Sequence, residues 1–72
     1  MDDYIEQGAV KVIEVIGVSD EGFEDAVRGA VRKAAESIRG ITGVEVQSLS
    51  GKVTDGEIIQ YRATVKLAFT VR

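Results

Sequence analysis

From Ala9 to Val18 the chain reads AVKVIEVIGV, and both of its alternating residue sets are largely apolar. Val10, Val12, Ile16 and Val18 share one set with a single acid, Glu14, while Ile13, Val15 and Gly17 share the other with Lys11. Such a density of β-branched residues, bounded by Ser19 and Asp20, predicts a strand. A strand in a lone two-layer domain should keep one wet face, and this one has none, so something must cover both. The chain has 72 residues and no cysteine, enough for a single domain over residues 1–72 but only for a thin core. Domains of this size usually add disulfides, a metal or association with other copies. Without cysteine or histidine the first route is closed and structural zinc is removed, which leaves association.

After this strand, Ser19 is placed to cap a helix, and Asp20 and Glu21 put negative charge where the helix dipole favours it. Phe23, Ala26, Val27, Ala30, Val31, Ala34 and Ile38 follow the three-four spacing of an apolar stripe. With Gly40 as the stop, the spacing predicts one long helix of roughly 20 residues. Val44 to Gln47 begin a second strand. The phase then slips before Leu49 and Val53, which predicts a bulge or sharp twist near Ser48 to Gly51. Asp55-Gly56 signals a tight hairpin. In the strand that follows, Ile59, Tyr61, Ala63, Val65, Leu67, Phe69 and Val71 alternate with polar residues. The expected architecture is therefore α+β: a β-α-β-β domain whose three-stranded antiparallel sheet has the last strand in the centre and wraps on the helix. The second and third strands should outrun that helix, so the excess points to burial against copies of the same chain.

The first eight residues, with Tyr4, are expected to form a flexible segment. They show no basic region followed by an apolar stretch, so no secretory signal is read there, and a cytoplasmic location is the default expectation. No apolar run reaches the length of a membrane span. A formal net charge of -3 argues against nucleic acid as the main partner, because phosphate binding needs a positive surface. VIGVSDEG lacks the lysine of a P-loop and the glycine spacing of a dinucleotide site. With no nucleophile-base pair in view, the chain reads as non-enzymatic.

Three segments carry a resemblance covering almost the whole chain: KVIEVIGVSDEGFEDAV from Lys11 to Val27, VEVQSLSG from Val44 to Gly51, and YRATVKLAF from Tyr61 to Phe69. In order, spacing and length they resemble the dodecins, small bacterial and archaeal proteins of β-α-β-β fold. The resemblance implies a hollow shell of twelve identical chains. For the better known members it also implies flavin binding and storage, with paired flavins stacked between aromatic side chains near the threefold axes. In flavin-binding dodecins a Trp precedes the segment that corresponds to Val44–Val46, and here that position is Gly43. A Gln that reads the flavin ring edge corresponds to Arg62, so a donor and acceptor has become a fixed cation. Glu45 and Gln47 stand at matching positions, and a further polar contact corresponds to Ser48. The ligand-binding positions implied by the family are thus Gly43, Glu45, Gln47, Ser48 and Arg62. Without the aromatic platform, worth roughly 0.5 to 1.5 kcal/mol per stacked pair, flavin binding is expected to be weak or lost.

The Tyr61-Arg62 pair without Trp is similar to a subgroup described as calcium dodecins, which makes calcium a candidate ion. No ligands carry over from that subgroup. Calcium takes roughly six to eight oxygens, and the sequence has no Asp-x-Asp-x-Asp-Gly loop, so such a site would be assembled between subunits. The acidic candidates are Glu14, Glu45, Asp55 and Glu57.

Simpler roles compete for the same residues. Arg62 is expected to form a salt bridge with Glu14 or Glu45 on a neighbouring strand or chain, ahead of binding an anionic ligand. Glu14 is expected in an inter-subunit ion pair, and Tyr61 and Phe69 in the core. The sequence reads as a non-enzymatic homo-oligomeric shell that binds or sequesters a small ligand or ion. A flavin-storage dodecin and a purely structural scaffold are the alternatives.

Overall fold

The computed structural model describes residues 8–71, so the expectations for the first seven residues, Tyr4 among them, fall outside it. It contains β1 (Ala9–Ser19), α1 (Phe23–Ala35), β2 (Ile41–Thr54) and β3 (Glu57–Val71). The sheet order is β1-β3-β2, with both pairings antiparallel, so the last strand is central as expected.

The helix is shorter than its apolar stripe suggests, at 13 residues against the roughly 20 expected. Ser19 does not cap it. Ser19 ends β1, and its hydroxyl donates to Asp25 Oδ2 at 2.7 Å while accepting the Glu21 N–H at 2.9 Å. The serine thus ties the strand to the first helical turn from outside. At the other end, the Ser37 and Ile38 N–H groups both donate to the Ala34 carbonyl, which tightens and closes the last turn. Gly40 lies beyond that turn, with φ +80, where it directs the chain into β2.

The hairpin follows its turn signal. Asp55 and Gly56 have φ 54 and 79, the consecutive positive values of a two-residue type I′ turn whose twist matches that of its strands. The slip in β2 is centred slightly earlier than expected. Register breaks between Val46 and Ser48, so Gln47 is the extra residue, with further shifts at Ile41/Gly43 and Lys52/Val53. The break at Gln47 returns Leu49, paired with Ala63, to the helix side that Val44 and Val46 already share.

Ala26, Ala30, Ala63, Val65 and Leu67 form the fully buried core, and Ile13, Val15, Val27, Val31, Ala34 and Ile41 pack around it. Tyr61 and Phe69 reach only intermediate burial; Tyr61 meets Phe23 edge-on, with ring centroids 4.9 Å apart. Gly17 lets the helix approach: a Cβ there would overlap the Ala26 carbonyl oxygen and lie 2.9 Å from Ala30 Cβ. The helix accordingly rests on β1 and β3 and barely touches β2.

Burial within one chain is modest. Leu67 and Val65 are the largest fully buried side chains among the described residues, worth roughly 1.5 to 3 kcal/mol each. Against them, eleven large hydrophobic residues among those described stay exposed, including Val12 at 56%, Ile16 at 59% and Val53 at 61%. The longest dimension, 52 Å, matches the 15-residue span of β3, and the radius of gyration of 14.3 Å exceeds the roughly 11 Å of a compact chain of this length.

Two glycines separate close packing from backbone propensity. Gly17→Ala should lower stability by about 1 to 3 kcal/mol in chemical denaturation, because the extra methyl has nowhere to go. Gly29→Ala should raise it by up to about 1 kcal/mol, since nothing lies within 4 Å of a Cβ at that helical position.

Candidate functional site

Opposite residues on paired strands share a face, so the register fixes what lies on the side of the sheet away from the helix. Along β3 that face carries Arg62, Thr64, Lys66, Ala68 and Thr70. β1 supplies Val18, Ile16, Glu14, Val12 and Val10 opposite them. β2 adds Ser50 beside Arg62, Ser48 beside Thr64, Glu45 beside Lys66 and Gly43 beside Ala68. The second apolar set of β1 therefore lies bare on this outer face.

Of the five family positions, Gly43, Glu45, Ser48 and Arg62 come to this one face, and Gln47 is the extra residue of the bulge between Glu45 and Ser48. They form a row, not a pocket. Ala68 lies six residue steps along β3 from Arg62, about 20 Å at roughly 3.3 Å per residue, more than one planar ring system spans. Gly43 and Ala68 form the floor of a shallow depression of about 200 Å³, bordered by Val12, Glu45 and Lys66. A Cβ at position 43 would meet only Ala68 Cβ, at 3.5 Å, so space for a larger side chain exists there.

Within one chain, the charges on this face are not paired as the neighbouring-strand expectation had them. Arg62 is not opposite Glu14 or Glu45; its register neighbours are Val18 and Ser50, and its Nε donates to Gln60 Oε1 at 2.9 Å. Lys66 is the cation between the two acids, with Glu14 opposite on one side and Glu45 on the other. The reason is register: the acids lie four residues along β3 from Arg62, at Lys66, and only strand pairing reveals that spacing. Lys66 sits in the polar alternation of the third strand, but nothing in sequence order ties it to residues about 20 and 50 positions away. Among the described residues, ion pairs within 4.0 Å occur only on or at the end of the helix: Arg28–Glu24, Arg32–Asp25 and Lys33–Glu36. The Glu14-Lys66-Glu45 row is thus an open arrangement with one carboxylate in excess.

The four acidic candidates for calcium fall in two places. Glu14 and Glu45 flank Lys66, while Asp55 and Glu57 lie at the hairpin tip. No group of three or more potential ligands among the described residues comes together, so one chain does not supply the oxygen count calcium takes. No helix among those residues is long and apolar enough to cross a membrane.

A thin helix-on-sheet unit with bare apolar strands and a polar row on its outer face defines a β-α-β-β protein that leaves much apolar surface uncovered within one chain. The dodecin family model matches residues 9–72, and the chain belongs to that family. The dodecin of Thermus thermophilus is 27% identical over 59 residues, 82% of this chain and 86% of the relative. Among solved structures, dodecin from Streptomyces coelicolor superposes with a TM-score of 0.90 at 31% identity, covering 94% of this chain and 97% of that one. The calcium-chelating antigen calcium dodecin of Mycobacterium tuberculosis, described as having a novel calcium-binding site, gives 0.78 at 32% identity, covering 90% and 93%.

Replacing Lys66 tests the row. Lys66→Gln should lower thermal stability by about 0.5 kcal/mol at low ionic strength, because two carboxylates lose their shared cation, and the deficit should shrink in roughly 0.5 M salt.

Proposed function

We propose that this chain is a non-enzymatic dodecin that assembles into a closed shell, twelve chains as the family resemblance implies, and holds a small ligand or ion on it. The observation that carries the proposal is the outer face of the sheet. There a bare apolar strand lies beside a polar row with an excess carboxylate, and neither is completed within one chain. Neighbouring copies would cover Val10, Val12, Ile16 and Val18 and bring several polar rows into proximity.

Calcium stands ahead of flavin as the bound species. Glu14 and Glu45 from more than one chain can supply the hard oxygen donors that calcium takes, and the calcium dodecin is among the structural relatives. For flavin, position 43 offers a glycine where stacking needs an aromatic face, and Arg62 stands where an amide would read the ring edge. Gly43, Glu45, Gln47, Ser48 and Arg62 remain the proposed ligand-facing positions.

Native mass spectrometry with separate riboflavin and calcium titrations reads assembly and ligand together. A closed oligomer that takes up calcium and ignores riboflavin is the expected result; stoichiometric flavin uptake would reverse the ligand order, and uptake of neither would favour a scaffold. The flavin positions have their own test. Gly43→Trp combined with Arg62→Gln should gain riboflavin binding, seen as quenched flavin fluorescence, and an assembled double variant with no gain would show the positions to be misassigned.

A further inference from the structure

The helix side of the sheet carries a second uncompleted surface, because α1 covers β1 and β3 but leaves β2 overhanging. Between α1 and β2 runs a groove of about 500 Å³. Val27, Val31 and Val44 form its apolar floor, and Glu24, Arg28 and Arg32 its rim. It continues past Val31 and Val44 toward Ile41. Glu24 is engaged by Arg28 at 2.6 Å and Arg32 reaches Asp25 only at 3.9 Å, so of the three charged residues lining the rim two are cations, and Arg32 is the more loosely paired.

The far end of the hairpin has the opposite character. β1 pairs with β3 no further than Tyr61, so beyond it β2 and β3 continue as a two-stranded arm. Val53, Ile58 and Ile59 are 61%, 47% and 46% exposed on that arm, and Asp55 and Glu57 stand at its tip. A two-stranded arm is marginal in water by itself, and its apolar residues need cover.

We propose that the hairpin tip of one copy seats in the α1–β2 groove of a neighbouring copy, with Asp55 and Glu57 facing Arg28 and Arg32. This rests on the assembly reading above and specifies which surfaces meet. A chain cannot fill its own groove, because Val44 and Asp55 are eleven residues apart along the same hairpin, about 36 Å at roughly 3.3 Å per residue. The bare stripe of β1 is a poorer seat for the tip. There Asp55 and Glu57 would approach a face on which Glu14 and Glu45 outnumber Lys66. Groove and tip are different surfaces of one chain, so the contact is head-to-tail and closes only when a fixed rotation returns to the starting copy.

A charge exchange tests the pairing. Arg32→Glu and Glu57→Arg, each alone, should raise the protein concentration at which the assembly dissociates by about tenfold or more, and the two together should return it toward the wild-type value. Because the chain has no cysteine, a cross-link gives a second readout that does not depend on the charge variants folding well. Oxidised Arg32→Cys/Glu57→Cys should run as a ladder of covalently joined chains, whereas each single variant should not. An assembled double-cysteine protein that forms no ladder overturns the contact and leaves the shell intact. A wild-type protein that stays monomeric overturns the assembly reading as well.

Discussion

The structure depends on a seam of small residues. Gly17 on β1, Ala63 on β3 and Ala26 and Ala30 on α1 allow helix and sheet to meet almost backbone to backbone, and any larger group at Gly17 would push them apart. Close contact of this kind loses few rotamers and leaves few voids, but it buries little apolar area. It also fixes the helix over two strands of three. The uncovered strand, the protruding hairpin and the bare stripe of β1 all follow from where that seam lies.

Those exposed surfaces are arranged in a way that bears on function. The inner overhang of β2 is a groove with a basic rim, and the outer face of β1 is an apolar stripe beside an acidic row. They point in different directions, so one neighbouring copy would not cover both. The polar row on the outer face runs from Gly43 to Arg62 and is not closed into a pocket within one chain.

Much of this was legible in the residue order because it depended on local chemistry. The Asp55-Gly56 turn, the alternation of β3 and the doubly apolar β1 each follow from the period and the turn residues alone, and together they leave little choice of strand order. The helix boundaries were less legible. The apolar stripe continues through Ile38, but Ser19 spends its hydroxyl on Asp25 and the Glu21 N–H rather than on a cap, and the last turn tightens at Ala34. The bulge was displaced because the change of phase is visible only from Leu49 onward, while the inserted residue is Gln47. Lys66 between Glu14 and Glu45, and the role of Gly17, were illegible because both arise from residues distant in sequence that meet only after strand pairing and helix docking.

With so little apolar surface buried, one chain is not expected to persist alone. That expectation is tested most directly by sedimentation velocity over a dilution series, with far-ultraviolet circular dichroism recorded on the same samples. One assembled species is expected down to micromolar concentration, with any dissociation on further dilution accompanied by loss of secondary structure. A monomer that remains folded and cooperative at micromolar concentration would contradict it.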